Sequence, residues 1–177
     1  MKKLFLIRHA KSSWIDDTLP DRERPLNSRG RENAPLMAQR ASKKWSRPEL
    51  VLCSPAKRAI QTSEFFKEEW WKEVDNKICS ELYEGSPSII LDLLSSVADE
   101  IHSVVAVFHN PNITILTNLL AQQRINNVAT CGVVTLQFPE IQWRNLEVGS
   151  CSPEDEPLPD FDESYKLSED PFERVAE

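Results

Sequence analysis

Lys3-Leu4-Phe5-Leu6-Ile7-Arg8-His9-Ala10 stands at the start of a chain of 177 residues. Four apolar residues in succession, two of them aromatic or β-branched, are too few for a buried helix and read as a strand, Lys3–Arg8. A strand apolar on both faces belongs inside a sheet that is covered on both sides. This one stops on Arg8-His9, residues no core needs.

The same pattern recurs twice. Leu50–Cys53 is a second short strand, followed by Ser54-Pro55-Ala56-Lys57-Arg58. Ser103–Phe108, with Val-Val-Ala-Val-Phe inside it, is the clearest strand of the chain and is followed by His109-Asn110-Pro111. Ser54-Pro55 and Asn110-Pro111 both read as a polar cap with proline at the first helical position, opening helices to about Lys72 and Gln123. A further helix is expected from a cap at Asn27 or Ser28 to about Trp45, kinked at Pro35. Lys77–Leu82 reads as a third strand and Ile89–Val97 as a helix. Gly132–Phe138 and Gln142–Leu146 are expected as two strands joined around Pro139, an antiparallel pair at the sheet's edge. Strands alternating with helices give a three-layer α/β/α sandwich with a mostly parallel central sheet and an antiparallel edge.

Composition narrows the function. There are 28 acidic and 21 basic residues, net −7. The acidity is local: from Glu147 to the end there are 11 acids and two bases, whereas residues 1–58 hold 14 bases and six acids. The chain divides into a domain, residues 1–148, and an acidic, proline-containing tail, residues 149–177. The tail is either a solvated extension or an acidic strap over the basic region. The overall charge argues against a nucleic-acid partner. No apolar run reaches the ~18 residues of a membrane span, and Arg8-His9 interrupts any signal-peptide core, so neither membrane nor secretion is expected and the location is read as cytoplasmic. Cys53, Cys79, Cys131 and Cys151 form no C-x-x-C pair, which gives neither a disulfide framework nor a zinc knuckle. Only four residues separate Cys53 from Arg58, one short of the C-x5-R loop of a cysteine phosphatase.

If the strands are parallel, Arg8-His9, the Ser54–Arg58 segment and His109 emerge on one rim, where open α/β sheets bind ligands. Two arginines, two histidines and two helix N-termini there suit a dianionic phosphoryl group: arginine grips two oxygens at once, and helix starts offer free N–H groups. Neutral imidazole is a competent nucleophile for phosphorus. A metal site on His9 and His109 is disfavoured, because the adjacent arginines repel a cation. Three blander readings stand beside these: His102 as a surface residue, Arg58 paired with Glu64 on its own helix, and Trp14 packed either under the pocket or at its rim.

Arg8-His9-Ala10 resembles the R-H-G signature of the histidine phosphatase superfamily, also called phosphoglycerate mutase-like. Arg24-Pro25-Leu26-Asn27-Ser28-Arg29-Gly30, Ser54-Pro55-Ala56-Lys57-Arg58-Ala59-Ile60-Gln61-Thr62 and His109-Asn110-Pro111 follow in that family's order. The run Arg8–Trp14 is similar to the SixA-type phosphohistidine phosphatase branch, and the resemblance spans roughly residues 3–146. It implies a metal-independent, cofactor-free phosphatase in which His9 attacks phosphorus while Arg8, Arg58 and His109, with Asn110 beside it, hold the phosphoryl oxygens. Glu81, ahead of Glu84, is the candidate proton donor to the leaving group. Ala10 replaces the family's glycine, as the SixA branch allows. Lys11, Ile15, Phe108 and Asn112 depart from the wider pattern and speak against sugar-phosphate chemistry of the mutase kind. The substrate class so implied is phosphohistidine on a signalling protein, with a small phosphomonoester next; a catalytically inactive phospho-binding protein on the same fold is the rival. Oligomeric state is not legible.

Overall fold

A computed structural model describes residues 1–122, 124–138, 141–147 and 149. Ten elements follow one another: β1 (Lys2–Arg8), α1 (Ser28–Lys44), β2 (Leu50–Cys53), α2 (Lys57–Phe66), β3 (Asn76–Ile78), α3 (Glu81–Glu84), α4 (Pro87–Ser95), β4 (Ser103–Phe108), α5 (Asn112–Ala121) and β5 (Val133–Phe138). The strands form one sheet in the order β3-β2-β4-β1-β5, parallel throughout except for β5, which runs antiparallel to β1 at the edge.

The alternation of side chains along the strands splits the core in two. Phe5, Ile7, Val51, Cys53, Val105 and Val107 face α1 and α2, together with Met37, Ala38, Phe66, Trp70 and Trp71. Leu4, Leu6, Leu52, Val104, Ala106 and Phe108 face α4 and α5, with Ile90, Leu94, Leu116 and Trp143. The sheet is thus covered on both sides. That is why β4 is apolar without alternation: Val104 to Phe108 are all fully buried. Each such valine contributes roughly 1.5–3 kcal/mol of transfer free energy.

Parallel pairing aligns the strand ends. Arg8 pairs with Phe108, and Cys53 with Val107. Beyond the last pairs, the His9 N–H donates to the carbonyl of Phe108 and the Ser54 N–H to that of Val107, so the three expected chemistry-bearing segments leave one rim.

Several local expectations are corrected. The helix after β2 starts at Lys57, not Ser54, and no side chain caps it; the Ser54 hydroxyl is engaged by His109 instead. It ends at Phe66 and continues as a π-helical turn, Lys67–Trp71. The helix after β4 starts at Asn112 with Pro111 at the cap position, because the Asn110 amide bonds Thr114 and the Asn127–Val128 segment. β3 stops at Ile78, and Glu81–Glu84 is helical. Trp143–Asn145 is a 3-10 turn rather than a strand, its Trp143 indole buried and donating to Ile101; β5 takes β1, not a hairpin partner, as its antiparallel neighbour. α1 is capped by Asn27, whose side chain accepts from the Gly30 N–H, and continues through Pro35. No helix among the described residues is long and apolar enough to cross a membrane. Nearly all of the acidic tail, like the strap read for it, lies outside the described residues.

Candidate active site

His9 is fixed from three directions. Its N–H donates to Phe108, its carbonyl accepts from Cys131, and its ring Nδ1 lies 2.7 Å from the Ala10 carbonyl oxygen. A carbonyl can only accept, so Nδ1 carries the proton and Nε2 keeps its lone pair. The Ala10 N–H donates to Thr62 Oγ1 at 2.9 Å, and that hydroxyl donates to the Arg58 carbonyl at 2.7 Å. The turn after β1 is thereby tied to the first turns of α2. Burial lowers the His9 pKa to about 4; the Ala10 bond works against this, and the charges of Arg58, Arg8 and Arg24 add to it.

His109 lies beside it, the ring centroids 4.9 Å apart. Its Nε2 is 2.7 Å from Ser54 Oγ, while its buried Nδ1 has no hydrogen-bond partner. Burial, then the neighbouring His9 and Arg58, push its pKa down to about 3. Both imidazoles are neutral at ordinary pH.

Three arginines act on His9 electrostatically. Arg8 donates to the Val128 carbonyl at 2.7 Å. Arg58, on the first turn of α2, donates from one terminal nitrogen to the Asp21 carbonyl at 2.6 Å and from the other to Asp21 Oδ2 at 2.9 Å. Its ion-pair partner is therefore Asp21, not Glu64 on its own helix. Arg24, buried, donates to Ser13 O, Ser12 Oγ and Asp21 Oδ1, and its guanidinium stacks 3.1 Å from the Trp14 ring centroid. Trp14 itself is 73% exposed, which puts it at the rim. Tyr83 completes the group: its hydroxyl donates to Asp21 Oδ2 at 2.9 Å and its ring meets His109 edge-on at 5.6 Å.

Glu81 lies on α3, exposed, and its carboxylate meets Ser80 Oγ at 3.4 Å; from the same short helix it is Tyr83 that reaches His109. Both ends of the Asn110 amide bond the neighbouring loop and Thr114, and in doing so brace the Asn127–Val128 segment that also receives Arg8. His102 is exposed, as expected. Cys53 is buried, with burial pushing its thiol up to about 12, which leaves no thiolate for a cysteine-phosphatase reaction.

Asp21, Arg24 and Tyr83 escaped the sequence reading. Arg24 carried a signal, since it heads the Arg24–Gly30 motif. Asp21 and Tyr83 carried none, because a loop carboxylate and a short-helix tyrosine announce nothing until the fold brings them to Arg58.

The sequence profile described as Histidine phosphatase superfamily (branch 1) matches residues 4–86. An uncharacterized protein of Mycobacterium leprae, ML1117, is 30% identical over 156 residues, covering 81% of this chain and 94% of that protein. The chain belongs to the histidine phosphatase superfamily, branch 1. Among solved structures, the Agrobacterium tumefaciens protein assigned as the phosphohistidine phosphatase SixA superposes with a TM-score of 0.72 at 27% identity, over 77% of this chain and 91% of that one. A protein histidine phosphatase SixA complexed with tungstate gives 0.70 at 24% identity, over 77% and 88%. Histidine phosphatases are generally phosphomonoester hydrolases, and within them this chain resembles SixA in structure.

Proposed function

We propose that this protein is a phosphatase that works through a phosphoenzyme on His9, and that its substrate is a phosphohistidine of the SixA type. The observation that carries the reading is the bond from His9 Nδ1 to the Ala10 carbonyl. It holds the ring in the tautomer whose Nε2 lone pair faces away from that bond, with His109 beside it and the charges of Arg58, Arg8 and Arg24 acting on it.

In the first step Nε2 attacks phosphorus in line, the N–P bond forms, and the bond to the leaving group breaks with its electron pair. Burial has already removed the proton that would block Nε2. Arg8 and Arg58 take up the charge on the equatorial oxygens, a task for fixed cations in a water-poor site. His109 serves as a neutral donor: with the Ser54 hydroxyl donating to Nε2, the proton sits on Nδ1, the ring atom that lacks a partner and fits a phosphoryl oxygen. Water then attacks phosphorus, the N–P bond breaks, and phosphate leaves with His9 restored.

A phosphohistidine substrate suits a site whose expected acid, Glu81, bonds Ser80 on an exposed helix. Its leaving nitrogen can be protonated before the bond breaks, whereas an alkoxide from a sugar phosphate needs a strong acid nearby. The Agrobacterium tumefaciens neighbour assigned as the phosphohistidine phosphatase SixA supports the same choice.

The test is a side-by-side assay on a phosphorylated histidine-containing domain and a panel of sugar phosphates. The expected result is faster kcat/KM on the phosphohistidine protein. Sugar phosphates preferred by orders of magnitude overturn the substrate assignment.

A further inference from the structure

Asp21 occupies the 3-10 turn Asp21–Glu23 on the segment joining β1 to α1. Its side chain is 52% exposed, yet it pairs with two arginines whose side chains are only 7% and 8% exposed. Oδ1 accepts from Arg24, Oδ2 accepts from Arg58 and Tyr83, and the backbone carbonyl accepts from the second terminal nitrogen of Arg58. Both terminal nitrogens of Arg58 end on this one residue.

Two opposite effects come from that carboxylate. Long, flexible guanidinium side chains are fixed in a single geometry, which favours the transition state because the donors need no rearrangement during reaction. A negative charge is also set against the cations that receive the phosphoryl group, which weakens the binding of any ground-state dianion. Catalysis gains from interactions stronger in the transition state than in the ground state. A carboxylate that aims the arginines while diluting their charge serves that end.

We propose that Asp21 is a positioning residue of the phosphoryl site: it holds Arg58 and Arg24 in their working geometry and keeps the pocket from binding phosphate, substrate or product, too tightly. The proposal rests on the phosphatase reading above. Partial burial works to raise the Asp21 pKa, but bonds from Arg58, Tyr83 and Arg24 hold it at about 2, so the carboxylate stays ionised and is not the acid for the leaving group.

The experiment measures inorganic phosphate binding by calorimetry and aryl phosphate hydrolysis on the same preparations. Asp21→Asn keeps the shape, loses the charge, and must turn its NH2 toward one of the donors it formerly accepted from. The expected result is phosphate bound about threefold to tenfold tighter while kcat falls about tenfold or more. Asp21→Glu, which keeps the charge, should hold the phosphate Kd within about twofold of wild type and recover part of kcat. Tyr83→Phe, which removes one neutral bond to Asp21, should lower kcat several-fold with the phosphate Kd unchanged. Asp21→Asn that leaves both quantities unaltered, or that weakens phosphate binding together with kcat, overturns the proposal while the phosphatase reading stands. Wild type that neither binds phosphate nor hydrolyses the ester overturns the phosphatase reading, and this proposal with it.

Discussion

Ser54 Oγ lies 2.7 Å from Nε2 of His109, joining the end of β2 to the end of β4 across the rim of the sheet. Ser54 is fully buried, and its oxygen also accepts, at 3.3 Å, from the Ala56 N–H. The hydroxyl therefore fixes how the ring of His109 stands, and where it donates to Nε2 the ring proton sits on Nδ1.

Ser54→Ala leaves a buried imidazole nitrogen without its partner. A loss of roughly 1–3 kcal/mol in unfolding free energy is expected, with kcat reduced about tenfold because His109 no longer holds one tautomer. Thermal unfolding and steady-state hydrolysis of an aryl phosphate measure both. An unchanged kcat would mean that the serine has no part in orienting His109.

Burial of the two neutral histidines ties stability to pH. Their folded pKa values, about 4 for His9 and about 3 for His109, lie below the ordinary value of 6.5. Between 6.5 and about 4 the unfolded chain binds more protons than the folded one, so stability falls as pH is lowered through that window. Tm should drop from pH 7 to pH 4.5, and His9→Asn should flatten the slope. The ring signals of His9 and His109, followed by NMR, should show no protonation between pH 7.5 and 5.5. A midpoint near 6.5 for either ring would contradict their burial.

Gly30 packs its backbone against Lys11: a Cβ there would collide with the Lys11 carbonyl oxygen. Gly30→Ala must push α1 away from the segment that carries Arg24 and Asp21. About 1–3 kcal/mol of destabilisation is expected, read as a lower urea midpoint, together with weaker phosphate binding. A midpoint within error of wild type would show that the segment gives way freely.

Cys53 and Cys131 are both buried, and burial pushes both thiols up to about 12. Iodoacetamide at pH 8, followed by peptide mapping, should leave both unmodified in the native protein, with hydrolysis unimpaired. Modification of Cys53 with matching loss of activity would revive a thiol mechanism.

The strand-end pattern was legible because burial on both faces writes an unbroken apolar run, and Arg8-His9 and His109 are conspicuous where such a run stops. The sheet and its antiparallel edge could be read in this way, whereas the α1 cap stayed open between Asn27 and Ser28 until the Asn27 side chain was seen to accept from the Gly30 N–H. Ser54-Pro55 and Asn110-Pro111 misled for one reason: each polar residue looked like a cap, but tertiary partners, His109 for one and the Asn127–Val128 segment for the other, claimed the side chain first. Trp143 falls within the strand expected over Gln142–Leu146 because strand and 3-10 turn share apolar content over five residues, and only its burial against the sheet separates them. Asp21 and Tyr83 meet 62 positions apart in sequence, through contacts that no local pattern encodes.

The proposed phosphatase reaction depends on His9 as the nucleophile. Hydrolysis of an aryl phosphate by wild type and by His9→Ala, each assayed with and without a chelator, tests it most directly. A His9 nucleophile requires wild-type turnover that the chelator leaves intact and that falls at least about a thousandfold in His9→Ala. A variant as fast as wild type, or wild-type turnover abolished by the chelator, would contradict it.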